Sequence, residues 1–195
     1  MEKSKLIENL CTNLLKEKQY PFAEVCDLPN SSFSQSGIYA WFFPLNAFEK
    51  AICKVPLEGC STKAGRYLFY IGISPSSIKS CRTLRQRLVE NHCKGNARRS
   101  TLRKSIGCLL QKQLQLVPCL VSGRLSFTLE SEEKLSAWMS RHSFITWMAL
   151  DEPWKYECAF IEHFRPPLNI KHNTQHPFSA TLSSIRCATE KAIKD

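Results

Sequence analysis

The sequence contains no apolar run that approaches the roughly 18 residues needed for a membrane-spanning helix. We therefore expect no helix that crosses a lipid bilayer. The first 20 residues also lack the continuous apolar block of a signal peptide, because their apolar residues recur at three- and four-residue steps. This spacing predicts an amphipathic helix, and we expect a cytoplasmic protein whose thiols stay reduced.

A C-x-x-C pair is also missing, although the chain has ten cysteines. Its absence argues against a zinc ribbon or a thioredoxin-like site. A weaker alternative is a structural zinc site at His172 and His176, which have H-x-x-x-H spacing, with Cys158 and Cys187 on either side. We favour the simpler interpretation, in which most of the cysteines are small buried hydrophobic residues.

Acidic residues are nearly absent from one window of the chain. The whole chain carries a formal net charge of +10, and between Lys79 and Lys112 the only acidic residue is Glu90. Such a window favours an anionic partner, nucleic acid first and an acidic membrane surface second. No apolar anchor accompanies it, which disfavours the membrane. The residues predicted to contact a nucleic-acid backbone are Lys79, Arg85, Arg98, Arg99, Arg103 and Lys104.

The order of predicted elements indicates an α+β fold, in which a small mixed β-sheet is flanked by helices. Two aromatic, β-branched segments have strand composition, residues 37–43 and 66–73. Further segments are predicted in chain order: a helix over 83–93, a helix capped by Ser100, one or two strands within 116–129, a helix starting at Ser131, a strand over 143–150, a helix capped by Asp151 with Pro153 in its first turn, and a last helix over 179–194.

Two tripeptides stand on the adjacent predicted strands, Gly37-Ile38-Tyr39 and Tyr70-Ile71-Gly72. Arg87 lies on the following helix, and Glu157 is followed twelve residues later by Asn169. Together these residues resemble the GIY-YIG nuclease superfamily over residues 36–170. The resemblance implies a mainly antiparallel sheet and a nuclease domain over 36–170. An N-terminal helix and linker (1–35) would precede it, and a C-terminal helical extension (171–195) would follow.

The resemblance implies a metal-dependent DNA endonuclease that uses Mg²⁺ or Mn²⁺. Glu157 matches the metal ligand of the family, and a hard cation that keeps most of its waters needs few carboxylates. Arg87 would hold the scissile phosphate with its planar fork. Tyr39 would be the general base and Tyr70 would hydrogen-bond the phosphate or the attacking water, although these two roles could be exchanged. Asn169 would buttress the site.

Three of these assignments have competitors. Arg85 could replace Arg87 as the phosphate ligand, since two residues this close on a helix cannot both face one site. Glu162 could replace Glu157, although the twelve-residue interval to the asparagine favours Glu157. His92 could assist catalysis, but five residues on an ideal α-helix rotate it by about 140° from Arg87. Either the helix ends early at Gly95 and turns His92 back toward the site as a catalytic helper, or His92 is only a phosphate contact.

Two departures from the family pattern bear on function. The family's lysine after the second glycine is replaced by Ile73-Ser74, so its role would pass to Lys79 or be absent. The segment between the two strands is also long.

We expect a small nuclease of repair, restriction or defence that cuts double-stranded DNA. Cutting both strands would need a homodimer or two visits by one protein. The alternative is a catalytically weak DNA-binding module of the same fold.

Overall fold

The computed structural model describes residues 2–194. Its α-helices are α1 (Glu2–Lys16), α2 (Phe22–Val25), α3 (Thr101–Leu114), α4 (Leu129–His142), α5 (Glu157–Phe164) and α6 (Pro177–Lys191). A π-helix spans Gln86–Cys93, and short 3₁₀ turns lie at Asn30–Ser32, Leu45–Phe48 and Pro153–Lys155. Within the described chain, none of these helices combines the length and apolar character that a bilayer crossing needs.

A five-stranded sheet forms the centre of the fold. Its strands are β1 (Tyr20–Pro21), β2 (Gly37–Pro44), β3 (Thr62–Lys63), β4 (Arg66–Ser74) and β7 (Phe144–Ala149), in the order β1-β7-β2-β4-β3. All four pairings are antiparallel. Strands β5 (Pro118–Val121) and β6 (Arg124–Phe127) form a separate hairpin. The predicted α+β fold, with a mainly antiparallel sheet flanked by helices, is confirmed.

Strand β2 lies at the middle of the sheet and is covered on both faces. Because side chains alternate along a strand, Tyr39 and Trp41 face one side while Ile38 and Ala40 face the other. The first face packs against α3, α4, α6 and the π-helix, and the second packs against α1 and α5. The sheet is therefore the middle layer of three, which explains why Gly37 to Phe43 is an unbroken run of buried residues.

A β-bulge in β4 determines where its tyrosine points. Trp41 is paired with Tyr70, but the next residue of β2 is paired with Leu68, so Phe69 is the extra residue. Phe69 and Tyr70 consequently both join the core cluster that contains Tyr39. Bulges are common beside functional sites, where they redirect a side chain.

The predicted element boundaries are wrong at three places. The fourth helix begins at Leu129, so Ser131 lies inside its first turn rather than at its cap. The segment after Asp151 is not one helix, because Pro153–Lys155 forms a 3₁₀ turn and α5 begins only at Glu157. The last helix starts at Pro177, where the His176 side chain accepts the Phe178 amide hydrogen. Ser100 caps α3 as predicted and accepts from the Arg103 amide.

Candidate active site

A cleft of about 160 Å³ opens where β2 and β4 run side by side. Tyr39 and Gly72 are directly opposite each other in the ladder, and Tyr70 lies two pairs further along, on the same face of the sheet. The cleft is lined by Tyr39, Tyr70, Gly72, Ile73, Ser74, Ser76, Arg82, Arg87 and Glu157. The structure therefore brings both predicted tyrosines, the predicted arginine and the predicted carboxylate to one place.

The Tyr39 hydroxyl is the centre of a hydrogen-bonded chain. Arg87 Nε donates to this oxygen at 3.2 Å, and the same oxygen lies 2.7 Å from His92 Nε2. On the other side of the ring, His92 Nδ1 lies 2.6 Å from Ser100 Oγ. Tyr39, His92 and Ser100 are all fully buried. This series of hydrogen bonds thus leads from the cleft into the protein interior, and each polar group in it has a hydrogen-bond partner.

The π-helix explains how Arg87 and His92 reach the same hydroxyl. In this winding a residue bonds to the one five positions away, as Lys94 N does to Val89 O at 2.7 Å. Residues five apart therefore lie one above the other, whereas an α-helix would turn them away from each other. The expectation that an α-helix would separate Arg87 from His92 is wrong for this reason. His92 contacts Tyr39 and is not exposed to a phosphate.

Burial shifts the acid–base properties of this pair in opposite directions. It lowers the pKa of His92 well below its ordinary value, and the nearby Arg87 and Arg103 charges lower the pKa further. The imidazole is therefore neutral near pH 7. Burial raises the pKa of the Tyr39 hydroxyl, while the Arg87 guanidinium opposes that shift. A neutral imidazole can accept the proton that Tyr39 releases, and the cation beside the oxygen favours that release.

Tyr70 and Asn169 hold the other wall of the cleft. The Tyr70 hydroxyl lies 3.0 Å from Thr101 Oγ1, at the first residue of α3. The Asn169 side chain is buried and pairs with both backbone groups of Ile71, accepting from its nitrogen and donating to its oxygen at 2.9 Å. This pair of hydrogen bonds fixes the strand between Tyr70 and Gly72, which is the buttressing position expected from the resemblance.

Glu157 is the acidic residue of the cleft wall. It begins α5, and its side chain is 21% exposed. Lys171 Nζ and His172 Nε2 lie 3.7 and 3.8 Å from Oε2, beyond ordinary hydrogen-bond distance. Its oxygens can therefore accept further ligands. The competitor Glu162 lies on the exposed side of the same helix, where it accepts from Cys158 Sγ at 3.2 Å.

The structure gives no support to a zinc site at the cysteines and histidines of the C-terminal region. His176 caps α6, and His172 faces Glu157. Across residues 2–194, no group of three or more His, Cys, Asp or Glu side chains is arranged to hold a metal ion. The donor set at Glu157 is a lone carboxylate, which fits a hard cation that keeps most of its waters.

Arg82 and Asn91 belong to the cleft region although sequence reasoning did not select them. With its amide oxygen facing the arginines, Asn91 accepts from Arg82 Nη1 at 2.9 Å and from Arg87 Nη1 at 3.2 Å. This buried amide aligns two guanidinium groups at one opening. Lys79, the suggested substitute for the missing family lysine, is exposed on a loop and does not line the cleft. Arg82 is instead the second cation there.

The prediction that Arg103 contacts DNA is wrong. Its side chain is fully buried, and its guanidinium donates to Glu132 Oε2 at 2.7 and 3.1 Å and to the His92 carbonyl at 3.0 Å. Glu132 also accepts from the Ala97 amide at 2.8 Å. Arg103, the third residue of α3, points toward α4. Its guanidinium therefore links α3 to α4 instead of facing solvent.

The other predicted backbone contacts differ in their exposure. Lys79 and Arg99 are exposed, whereas Arg98 and Lys104 are half-buried. Arg85 is half-buried and its guanidinium lies 5.7 Å from the centre of the Phe33 ring. Because Arg85 does not line the cleft, Arg87 is the arginine that the helix presents to the site.

Gly72 leaves room for the Tyr39 hydroxyl. A Cβ atom at position 72 would overlap the end of the Tyr39 side chain, which is fully buried and cannot move freely. We therefore expect Gly72→Ala to lower the free energy of unfolding by about 1–3 kcal/mol. Urea unfolding measures this cost. The cost should largely disappear in a Tyr39→Leu background, and an equal cost in both backgrounds would disprove the overlap.

The comparisons with known proteins agree with this geometry. A family model described as the GIY-YIG catalytic domain matches residues 37–188, which is most of the chain. The chain therefore belongs to the GIY-YIG family. Membership implies a nuclease superfamily, with hydrolase chemistry of the endonuclease type and binding of nucleic acid. The match continues past residue 170 into α6. Comparisons with curated proteins and with solved structures give no significant match.

Proposed function

We propose that this protein is a metal-dependent DNA endonuclease that hydrolyses phosphodiester bonds by a GIY-YIG mechanism, in repair, restriction or defence. The observation that carries the proposal is the Tyr39 hydroxyl, held between Arg87 and His92 in the same cleft as Glu157. Hydrolysis of a phosphodiester needs an activated water, stabilisation of added negative charge and help for the leaving oxygen. The cleft has groups suited to each requirement.

Two guanidinium groups would hold the scissile phosphate. Arg82 and Arg87 both line the cleft, and Asn91 restrains both of them. Arg87 is further restrained because Nη1 donates to the Arg99 carbonyl at 3.2 Å. Donors positioned before the reaction stabilise developing charge without reorganising, and planar guanidinium groups match phosphate oxygens. In this proposal the two arginines bind the phosphate and carry the charge that builds up during attack.

Tyr39 is the general base in this proposal. It takes a proton from the attacking water as its own hydroxyl proton moves to His92 Nε2, 2.7 Å away. Arg87 Nε stabilises the negative charge that develops on the tyrosine oxygen during this transfer, which ends with a neutral tyrosine and a protonated His92. Within the described residues, the Tyr70 hydroxyl pairs with the Thr101 hydroxyl and has no imidazole to accept its proton. We therefore assign the base to Tyr39 and a phosphate or water contact to Tyr70.

Glu157 would hold the divalent cation, Mg²⁺ or Mn²⁺. Its carboxylate lines the cleft together with the two arginines. When bound, the cation would supply Lewis-acid stabilisation to the phosphate and the leaving oxygen. Lys171 Nζ and His172 Nε2 lie 3.7 and 3.8 Å from Glu157 Oε2. At these distances they do not occupy the hydrogen-bonding positions of the carboxylate.

A plasmid-nicking assay tests this proposal. With Mg²⁺, we expect the wild-type protein to convert supercoiled plasmid into nicked circles. Cleavage should stop when EDTA is added. Glu157→Gln keeps the size of the side chain and removes its charge, and we expect it to lower the metal-stimulated rate by about tenfold or more. Glu162→Gln, on the exposed side of the same helix, is the control and should behave as wild type.

Two outcomes would contradict the proposal. One is equal cleavage by wild type and Glu157→Gln, because contaminating nuclease would then account for the activity. The other is tight, salt-sensitive DNA binding without cleavage under Mg²⁺ or Mn²⁺, which would favour a catalytically weak DNA-binding module. Parallel assays with RNA of the same sequence test whether DNA is the preferred substrate.

A further inference from the structure

A second groove, of about 430 Å³, lies between α3 and α6, outside the cleft described above. Leu125 and Ile170 contribute apolar lining, and four cationic side chains surround them: Lys104, Arg186, Lys191 and Lys194. Its volume falls within the range of about 300–1,000 Å³ that is typical of ligand sites. We call it the α3–α6 groove.

Lys104 and Arg186 are the more buried of the four cations that line the groove. Both are half-buried, and across residues 2–194 neither has a carboxylate oxygen within 4.0 Å. Among residues 2–194, one acidic side chain lines the groove, Glu190, and it pairs with Lys194 at 3.3 Å. Burial lowers the pKa of both Lys104 and Arg186, and the Arg186 charge lowers that of Lys104 further. The Glu190 carboxylate opposes both pKa shifts, and two partly desolvated cations that line one groove favour a further anion there.

The groove adjoins the candidate active site. Thr101 contacts the Tyr70 hydroxyl at 3.0 Å, and Lys104 follows Thr101 by three residues on the same face of α3. Ile170 directly follows Asn169, which fixes the strand that carries Tyr70. The Tyr70 side chain also lies close enough to influence the pKa of Arg186. A strand that crosses the cleft past Tyr70 would therefore reach these cations next.

We propose that the α3–α6 groove is a phosphate-binding subsite for the nucleic-acid strand beyond the scissile bond, with Lys104 and Arg186 as its contacts. This inference rests on the proposed nuclease function and extends it. An arginine and a lysine facing a partly apolar groove suit a phosphodiester, because the guanidinium binds two oxygens and the ammonium adds charge. Arg186 becomes a binding residue, although it lies outside the basic window of the sequence.

The test compares Arg186→Gln with wild type by fluorescence anisotropy on a labelled DNA duplex in EDTA, over a range of NaCl concentrations. Loss of one phosphate contact should reduce the slope of log K against log[salt] by about 0.9 and weaken binding on the order of tenfold. Arg186→Lys should restore much of the slope. Lys112→Gln removes an exposed cation of α3 outside the groove and should leave the slope close to the wild-type value.

Kinetics and competition distinguish a substrate subsite from a change in folding and from an unrelated anion site. Because Arg186 does not line the cleft that holds the reacting groups, Arg186→Gln should raise KM and leave kcat unchanged. An unchanged slope and KM in a variant with a wild-type unfolding midpoint would overturn the subsite while leaving the nuclease proposal intact. Free inorganic phosphate that binds tightly and does not compete with DNA would overturn it too. A wild-type protein that neither binds nor cuts DNA would overturn both proposals.

Discussion

Tyr39→Phe is expected to lower kcat by about 10²–10⁴-fold, because that is the usual contribution of a positioned general base. The substitution removes one oxygen and leaves the ring packed between β2 and the buried His92. Folding should therefore be preserved, while the path for the proton from the cleft to His92 Nε2 is lost. KM should change little, since the proposed phosphate contacts of Arg82 and Arg87 would be retained.

Single-turnover cleavage of a defined DNA substrate measures this effect. Tyr67→Phe removes a hydroxyl from the same strand as Tyr70, outside the cleft, and serves as the control. If Tyr39 and His92 act as one unit, adding His92→Gln to Tyr39→Phe should cost little more than Tyr39→Phe alone. Because the pKa of His92 lies below its ordinary value, the acid limb of the wild-type pH–rate profile should fall below pH 6.5. Retention of more than about half the rate by Tyr39→Phe would rule out this base.

Arg103→Leu is expected to destabilise the protein by about 3–5 kcal/mol, which is the usual cost of removing one partner of a buried ion pair. The change leaves the Glu132 carboxylate buried with the Ala97 and Phe127 amides and the Ser126 hydroxyl as its remaining donors. It also removes the donor to the carbonyl of His92. Both losses fall at the junction of α3, α4 and the π-helix.

Urea unfolding of three variants separates the ion pair from a general charge effect. Arg99→Leu removes an exposed cation near the start of α3 and should change stability by no more than about 0.5 kcal/mol. Arg103→Leu combined with Glu132→Leu should be more stable than Arg103→Leu alone, because no unpaired charge stays buried. Equal stability of Arg103→Leu and Arg99→Leu would contradict the buried pair.

Local patterns were sufficient to predict most of the candidate site. The tripeptides of Tyr39 and Tyr70 stand on strands whose aromatic and β-branched composition is readable from the sequence, and the structure pairs those strands directly. The interval from Glu157 to Asn169 identified one residue in the cleft and one beside it. These residues could be predicted because each depends on a short segment and its motif.

The same patterns could not predict contacts between segments that are far apart in the sequence. Arg103 resembles its basic neighbours in sequence, and only Glu132, 29 residues later, turns it into a core residue. Asn91 gives no signal by itself, since its role arises from where Arg82 and Arg87 point. The exposure of each charged side chain depends on how the protein packs. The net charge of a sequence window gives no information about that packing.

The π-helix also affects how relatives of this protein are recognised. A search that requires the histidine four positions after the arginine would miss His92, which follows Arg87 by five positions, although its imidazole reaches the tyrosine hydroxyl. Looser winding absorbs the one additional residue within Gln86–Cys93, so the two side chains converge despite the longer interval. A one-residue insertion in this helix is therefore compatible with an intact site, and motif definitions for the family should allow a variable gap at this point.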